Sequence, residues 1–259
     1  TKNSKLGIEK NIINNVVIDN KKVLIFTEDG TKYETDLNNF SKILARRKIN
    51  NEKFLFLISN PKYNKINNLL KENLHNSNAE IIYPKGTKLA YQNRKGTTIL
   101  SIYLSNPNDS VLIKGGEIKN YQINLKGPNQ DAVQLSLSQR FNKRGLTGCL
   151  NIYNVNLDQV SFDIDNVECE DSLNIINSKG KINSIRISNA YQDALDIDFS
   201  NISIKDTIIN KAGNDCIDLS SGNYFFQDIN LNQCSDKAIS VGEKSSFTSK
   251  NIFIDSSNI

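Results

Sequence analysis

Leu173, Leu195, Ile217 and Ile239 stand 22 residues apart, and Ile175, Ile197, Leu219 and Val241 keep the same step two places later. A second register runs through Ile187, Ile209, Leu231 and Phe253. A third takes in Ile182, Ile204, Phe226 and the less apolar Thr248. Apolar positions that recur at one fixed step belong to a stack, in which each unit buries its inward residues only against its neighbours. Three apolar columns call for three short strands per turn, and Asn, Asp, Ser and Gly punctuate the sequence every seven or eight residues to make the corners. A leucine-rich repeat has a similar period, but its L-x-x-L-x-L-x-x-N pattern is absent. No window in this region carries a helical stripe, which argues against an ordinary α/β domain. The expected fold is all-β: a right-handed parallel β-helix, a solenoid of coils about 22 residues long.

The first part of the chain reads differently. Val16 to Ile18 and Val23 to Phe26 are strand-like, and Glu28-Asp29-Gly30 is a turn signal leading to Lys32-Tyr33-Glu34. Asp36 is placed to cap a short helix with Leu37, Phe40, Ile43 and Leu44 on one face. Phe54 to Ile58 is a continuous apolar run fit for a buried strand. Residues 1–60 are therefore expected to form a small α/β region. Asn60-Pro61 then opens a helix expected over 61–77, in which Tyr63, Ile66, Leu70 and Leu74 follow at helical spacing. The β-helix itself is expected to occupy 61–259, with its C-terminal end truncated. Strand runs at 99–104, 111–113 and 122–125 are broken by Asn106-Pro107-Asn108-Asp109, Gly115-Gly116 and Gly127-Pro128, as in irregular coils. A basic loop, 139–148, containing Arg140, Lys143 and Arg144, is expected between coils.

The net charge of +4 hides an asymmetry: residues 146–259 carry sixteen acids against eight bases, and residues 1–145 twelve against twenty-four. A basic first half suits an anionic partner such as an acidic polysaccharide or a phosphate-bearing surface. The Lys residues are scattered and no Arg-rich, aromatic-interleaved motif occurs, so nucleic acid is not the expected partner. No apolar run is long enough to span a bilayer, and no signal peptide is evident. The absence of Met and the start at Thr1 point to a fragment or a processed chain. Cys149, Cys169, Cys216 and Cys234 lack metal-type spacing and are expected to be packing residues, with a Cys216–Cys234 disulfide as the alternative.

Stacked coils lie about 4.8 Å apart, so outward positions form columns as well. Asn174, Asp196, Asp218 and Ser240 make one. Asp171, Asp193 and Asp215 make another just before the strand, with Asp236 one residue early. Asp198 points out beyond Ile197. Neighbouring carboxylates at this spacing repel by about 1 kcal/mol or more, so something must offset them. The candidates are Lys237, a bound cation such as Ca²⁺, or a raised pKa on one member. The plainer alternative is that the Asp171 column caps turns through backbone amides.

Asn78-Ala79-Glu80-Ile81-Ile82-Tyr83-Pro84-Lys85-Gly86-Thr87-Lys88-Leu89 resembles the opening segment of pectin-lyase-like β-helices, where a short helix precedes a first strand ending in Pro-x-Gly. That resemblance implies that the helix around 61–74 plugs the open end of the solenoid. Three coils resemble the active-site coils of polygalacturonase-type glycoside hydrolases: Tyr191-Gln192-Asp193-Ala194-Leu195-Asp196-Ile197, Gly213-Asn214-Asp215-Cys216-Ile217-Asp218-Leu219 and Ser235-Asp236-Lys237-Ala238-Ile239-Ser240-Val241-Gly242. The resemblance implies an acidic polysaccharide substrate and inverting chemistry by carboxyl groups about 6.5–9.5 Å apart. Asp193 and Asp215 match two of the family's acids. Asn214 stands where a third belongs, and Asp236-Lys237 stand where the family has a His. The catalytic candidates are Asp193, Asp215, Asp236 and Lys237. The substrate-binding candidates are Asp196, Asp218, Asp198, Asn214, Arg140, Lys143 and Arg144. The expected function is that of a secreted or cell-surface polysaccharide-interacting protein, acting on a uronate-type polymer by hydrolysis, elimination or epimerisation. The alternative is a non-catalytic binding or structural module.

Overall fold

A computed structural model describes residues 13–19, 22–27, 32–36, 69–128 and 145–257. The chain divides into two compact units, Thr1–Asn67 with Lys143–Gly145, and Asn68–Asn142 with Leu146–Ile259. In the first unit β1 (Ile13–Asp19), β2 (Lys22–Thr27) and β3 (Lys32–Asp36) form an antiparallel sheet in that order. These strands enclose the three runs expected there. The helix expected after Asp36 and the strand at 54–58 lie outside the described residues.

The second unit is a β-solenoid of about six turns. One sheet comprises β4 (Leu69–Asn73), β5 (Glu80–Pro84), β8 (Val111–Lys114), β10 (Gly148–Tyr153), β12 (Asp171–Ile176), β14 (Asp193–Asp198), β16 (Ile217–Ser220) and β18 (Ile239–Val241). The other comprises β6 (Lys88–Arg94), β7 (Thr97–Tyr103), β9 (Glu117–Lys126), β11 (Asn156–Val167), β13 (Lys179–Ala190), β15 (Asn201–Ala212), β17 (Asn223–Cys234) and β19 (Ser246–Ser257). From β8 and β7 onward every ladder is parallel. The long strands bend, because their ladders skip Asn183, Lys205 and Gln227, so each is two straight segments and the coil has three sides. Two further corners turn through left-handed residues stacked coil on coil: Asn154, Asn177, Phe199, Ser221 and Lys244 at one, and Asn166, Asn189, Lys211, Gln233 and Ser256 at the other. Asn leads both series because its short polar side chain tolerates positive φ.

Inside, the expected columns are dry. Leu173, Leu195, Ile217, Ile175, Ile197, Leu219, Ile187, Ile209 and Leu231 are all 0% exposed. Burying each such side chain contributes up to about 1.5–3 kcal/mol, which makes these columns the main stabilising feature of the stack. The final coil departs from the expected register. Leu231 pairs with Ile254 and Phe226 with Ser249, so neither Phe253 nor Thr248 continues its column. Ile239 still follows Ile217 by 22 residues, but Ser246 follows Asn223 by 23, which places the extra residue in the corner after Val241. Phe253 is consequently turned outward and is 62% exposed.

Two other expectations change. The helix expected over 61–77 falls partly outside the described residues, but Leu69–Asn73 is strand β4, paired antiparallel with β5. Leu70 is exposed on that strand and Leu74, just beyond it, is buried, so the two do not share the single apolar face expected of a helix. The cysteines are not simple packing residues, since Cys149–Cys169 and Cys216–Cys234 are both disulfides. Each links the start of a first-sheet strand to the end of the same turn and so ties one coil closed. The opening segment does form a strand that ends at Pro84. Among the described residues no helix is long and apolar enough to cross a membrane.

Candidate functional site

The acidic columns lie where the first sheet begins each coil. Asp171 pairs in register with Asp193, and Asn174, Asp196, Asp218 and Ser240 follow one another across three ladders. The regular hydrophobic columns beneath force this stacking, because a strand whose inward residues are fixed has its outward residues fixed too.

Asp193 and Asp215 are almost fully buried, at 5% and 4% exposure. Asp193 Oδ1 accepts hydrogen bonds from the Asp215 amide at 2.9 Å and from Asn214 Nδ2 at 2.7 Å. The next coil repeats the device: Asp215 Oδ1 accepts from the Lys237 amide at 2.9 Å. Lys237, not Asp236, therefore occupies the next place in the Asp column. Its Nζ reaches Asp236 Oδ2 at 2.8 Å and Asp215 Oδ2 at 3.5 Å. The capping role considered for these acids is thus present in both.

A second network lies one coil earlier. Asn174 Nδ2 donates to Asp171 Oδ2 at 3.0 Å, to Asp196 Oδ2 at 2.9 Å and to Thr147 Oγ1 at 3.1 Å. Asp171 is 0% exposed. Its Oδ1 and the Asn174 Oδ1 are buried without hydrogen-bond partners. Burial pushes the Asp171 carboxyl up to about 7 against the lowering effect of Thr147 and Asn174, with the charges of Asp193 and Asp198 adding to the rise. Burial likewise raises Asp193. Asp196 is held well above the usual carboxylate range by burial and by Asp198, Asp171, Asp218 and Asp193. Two of the three expected offsets are therefore present: Lys237 balances Asp215 and Asp236, and raised pKa values relieve the charge at Asp171, Asp193 and Asp196. As to the third, a Ca²⁺, among the described residues no group of three or more His, Cys, Asp or Glu converges to hold a metal ion.

The structure thus gathers Asp193, Asn214, Asp215, Asp236 and Lys237 into one hydrogen-bonded series. It joins Asp196 to Asp171 and sets Asp218 beside Asp196. Asp198 enters through its charge. Arg140, Lys143 and Arg144 lie outside the described residues. Sequence reasoning placed Asp171 and Asn174 in the columns but left both out of the site, and Thr147 gave no signal because it precedes the regular coils. Comparison with protein-family models, with curated proteins and with solved structures finds no match for this chain.

Proposed function

We propose that this chain is a secreted or cell-surface β-helix that holds a polysaccharide without cleaving it. The observation that carries this reading is the engagement of Asp193 and Asp215: each uses Oδ1 to accept the backbone amide of the coil above. A carboxylate held in that way braces the stack, with one oxygen committed to the backbone of the next coil as a cap. Asn214 cannot act as a base, and it donates to Asp193 rather than standing open. The polysaccharide class rests on the likeness of these coils to the pectin-lyase-like superfamily and on polar columns that repeat at the coil spacing. Two disulfides support an oxidising compartment, outside the cytosol.

The test is affinity electrophoresis of the intact chain through gels containing neutral and uronate polysaccharides, with product analysis of the same mixtures. Retardation without new reducing ends, unsaturated products or altered epimers is the expected result. Free migration through every polymer would overturn the reading. One observation favours a second reading, in which the protein acts on a uronate polymer: Asp193 is a buried carboxyl of raised pKa, as a general acid needs. Bond cleavage lost in D193N but retained in D171N would establish that reading instead.

A further inference from the structure

The outer side of the second sheet, away from the acidic columns, carries a groove of its own. Two adjoining clefts, of about 540 and 320 Å³, share Asp206 and Asp228 and run along the bend of the long strands. The ladder explains the lining. Ser184, Asp206, Asp228 and Asn251 stack as one outward column, and Arg186, Ile208, Asn230 and Phe253 stack as the next. The one-residue insertion in the last coil is what turns Phe253 into this groove.

The polar groups are held in place before any ligand arrives. Arg186 binds Asp206 at 3.0 Å, and Asp228 accepts from Asn251 at 2.7 Å and from Gln227 at 3.0 Å. A carboxylate offers about four acceptor sites, so each keeps capacity for further donors. Fixed carboxylates and amides that accept and donate in pairs, beside an aromatic ring exposed to solvent, suit vicinal hydroxyls and the apolar face of a sugar ring. The rise per coil, about 4.8 Å, is close to the length of one hexose in an extended glycan, so successive sugars would meet successive residues of the same two columns. Arg186 on Asp206 and Lys205 in the lining balance the two acids, so the groove has no excess positive charge to draw an anionic polymer. Between β13 and β17 the ladders are paired on both sides, so along most of the groove an extended peptide finds no strand edge to join.

We propose that this groove binds a neutral polysaccharide along the solenoid axis, with Asp206 and Asp228 accepting sugar hydroxyls and Phe253 stacking on a ring. The proposal rests on the polysaccharide-holding reading for its ligand class, but it places the contact on a different sheet from the Asp193 column. The experiment is titration calorimetry of the intact chain with neutral β-linked hexose oligomers, from dimer to hexamer, and with uronate oligomers of the same lengths. Neutral oligomers should bind more tightly as they lengthen. F253A and D228N should each weaken binding about tenfold, with the circular dichroism spectrum unchanged. Neutral binding that is indifferent to both variants would overturn the groove and leave the broader reading standing. Binding of uronate oligomers alone would do the same. No binding to any oligomer or polymer would overturn both.

Discussion

Asp171 is a carboxyl with no exposed surface and one oxygen without a partner, a costly state if ionised. Its pKa in the folded chain is pushed up to about 7, above the ordinary value of 3.8 for an aspartate. Between those two values the folded chain holds a proton that the unfolded chain has lost, so stability falls as pH rises through this window. Asp193 and Asp196 shift in the same direction and steepen the effect. The isosteric variant D171N, permanently neutral, should therefore be more stable than the parent at about pH 8, by a few kcal/mol at most. The gain should shrink as the pH approaches about 5, where the parent is itself protonated. Urea denaturation of both chains across this range checks it, and a gain that grew towards acid would sink the idea. The Asp columns were legible in the sequence because they share the 22-residue step of the core. Their ionisation was not, because it depends on burial of residues outside the step, such as Thr147, and on which oxygen each amide takes.

At the scale of single coils, sequence periodicity located the strands wherever the corner length stayed constant. It failed by one residue where the corner after Val241 lengthened, since nothing apolar marks a corner's length and Phe253 and Ile254 are both hydrophobic. The helical reading of Leu70 and Leu74 failed because spacing alone does not show burial, and only Leu74 of the two is buried. The Cys149–Cys169 bond was hidden because its members sit at opposite ends of a turn, in different columns. Both disulfides close loops of modest size, with separations of 20 and 18 residues. Chain-entropy arguments give about 3 kcal/mol for each such closure. Ala is the natural replacement, since Ala194 and Ala238 flank Cys216 in its column and Ala212 precedes Cys234. Because these neighbours show that the methyl group fits, the double variant C216A/C234A should lose about 3 kcal/mol, a loss that reports the cross-link rather than a packing defect. Guanidinium denaturation without reductant measures it.

A solenoid is held together by nearest-neighbour contacts, and its stability is graded along the axis rather than pooled in one core. Among the described residues the two ends of the stack differ. At one end the sheets finish in antiparallel hairpins, β4 with β5 and β6 with β7. At the other, β18 and β19 are edge strands, and Ile252 and Ile254, which continue the inward columns, remain 48% and 45% exposed. Opening should therefore begin at β19 and move inward one coil at a time, with β12 to β15 exchanging their amides last. The Cys216–Cys234 bond lies directly in the path of that opening. It joins the head of the coil to its tail, so β16 and β17 cannot peel apart in sequence but must be released together. Hydrogen exchange followed by mass spectrometry should show a step in protection between β19 and β17 in the oxidised chain. In C216A/C234A the step should move inward to β15. Uniform protection from β12 to β19 in the oxidised chain would mean that the stack opens as a single cooperative unit, and that nearest-neighbour contacts do not govern its stability.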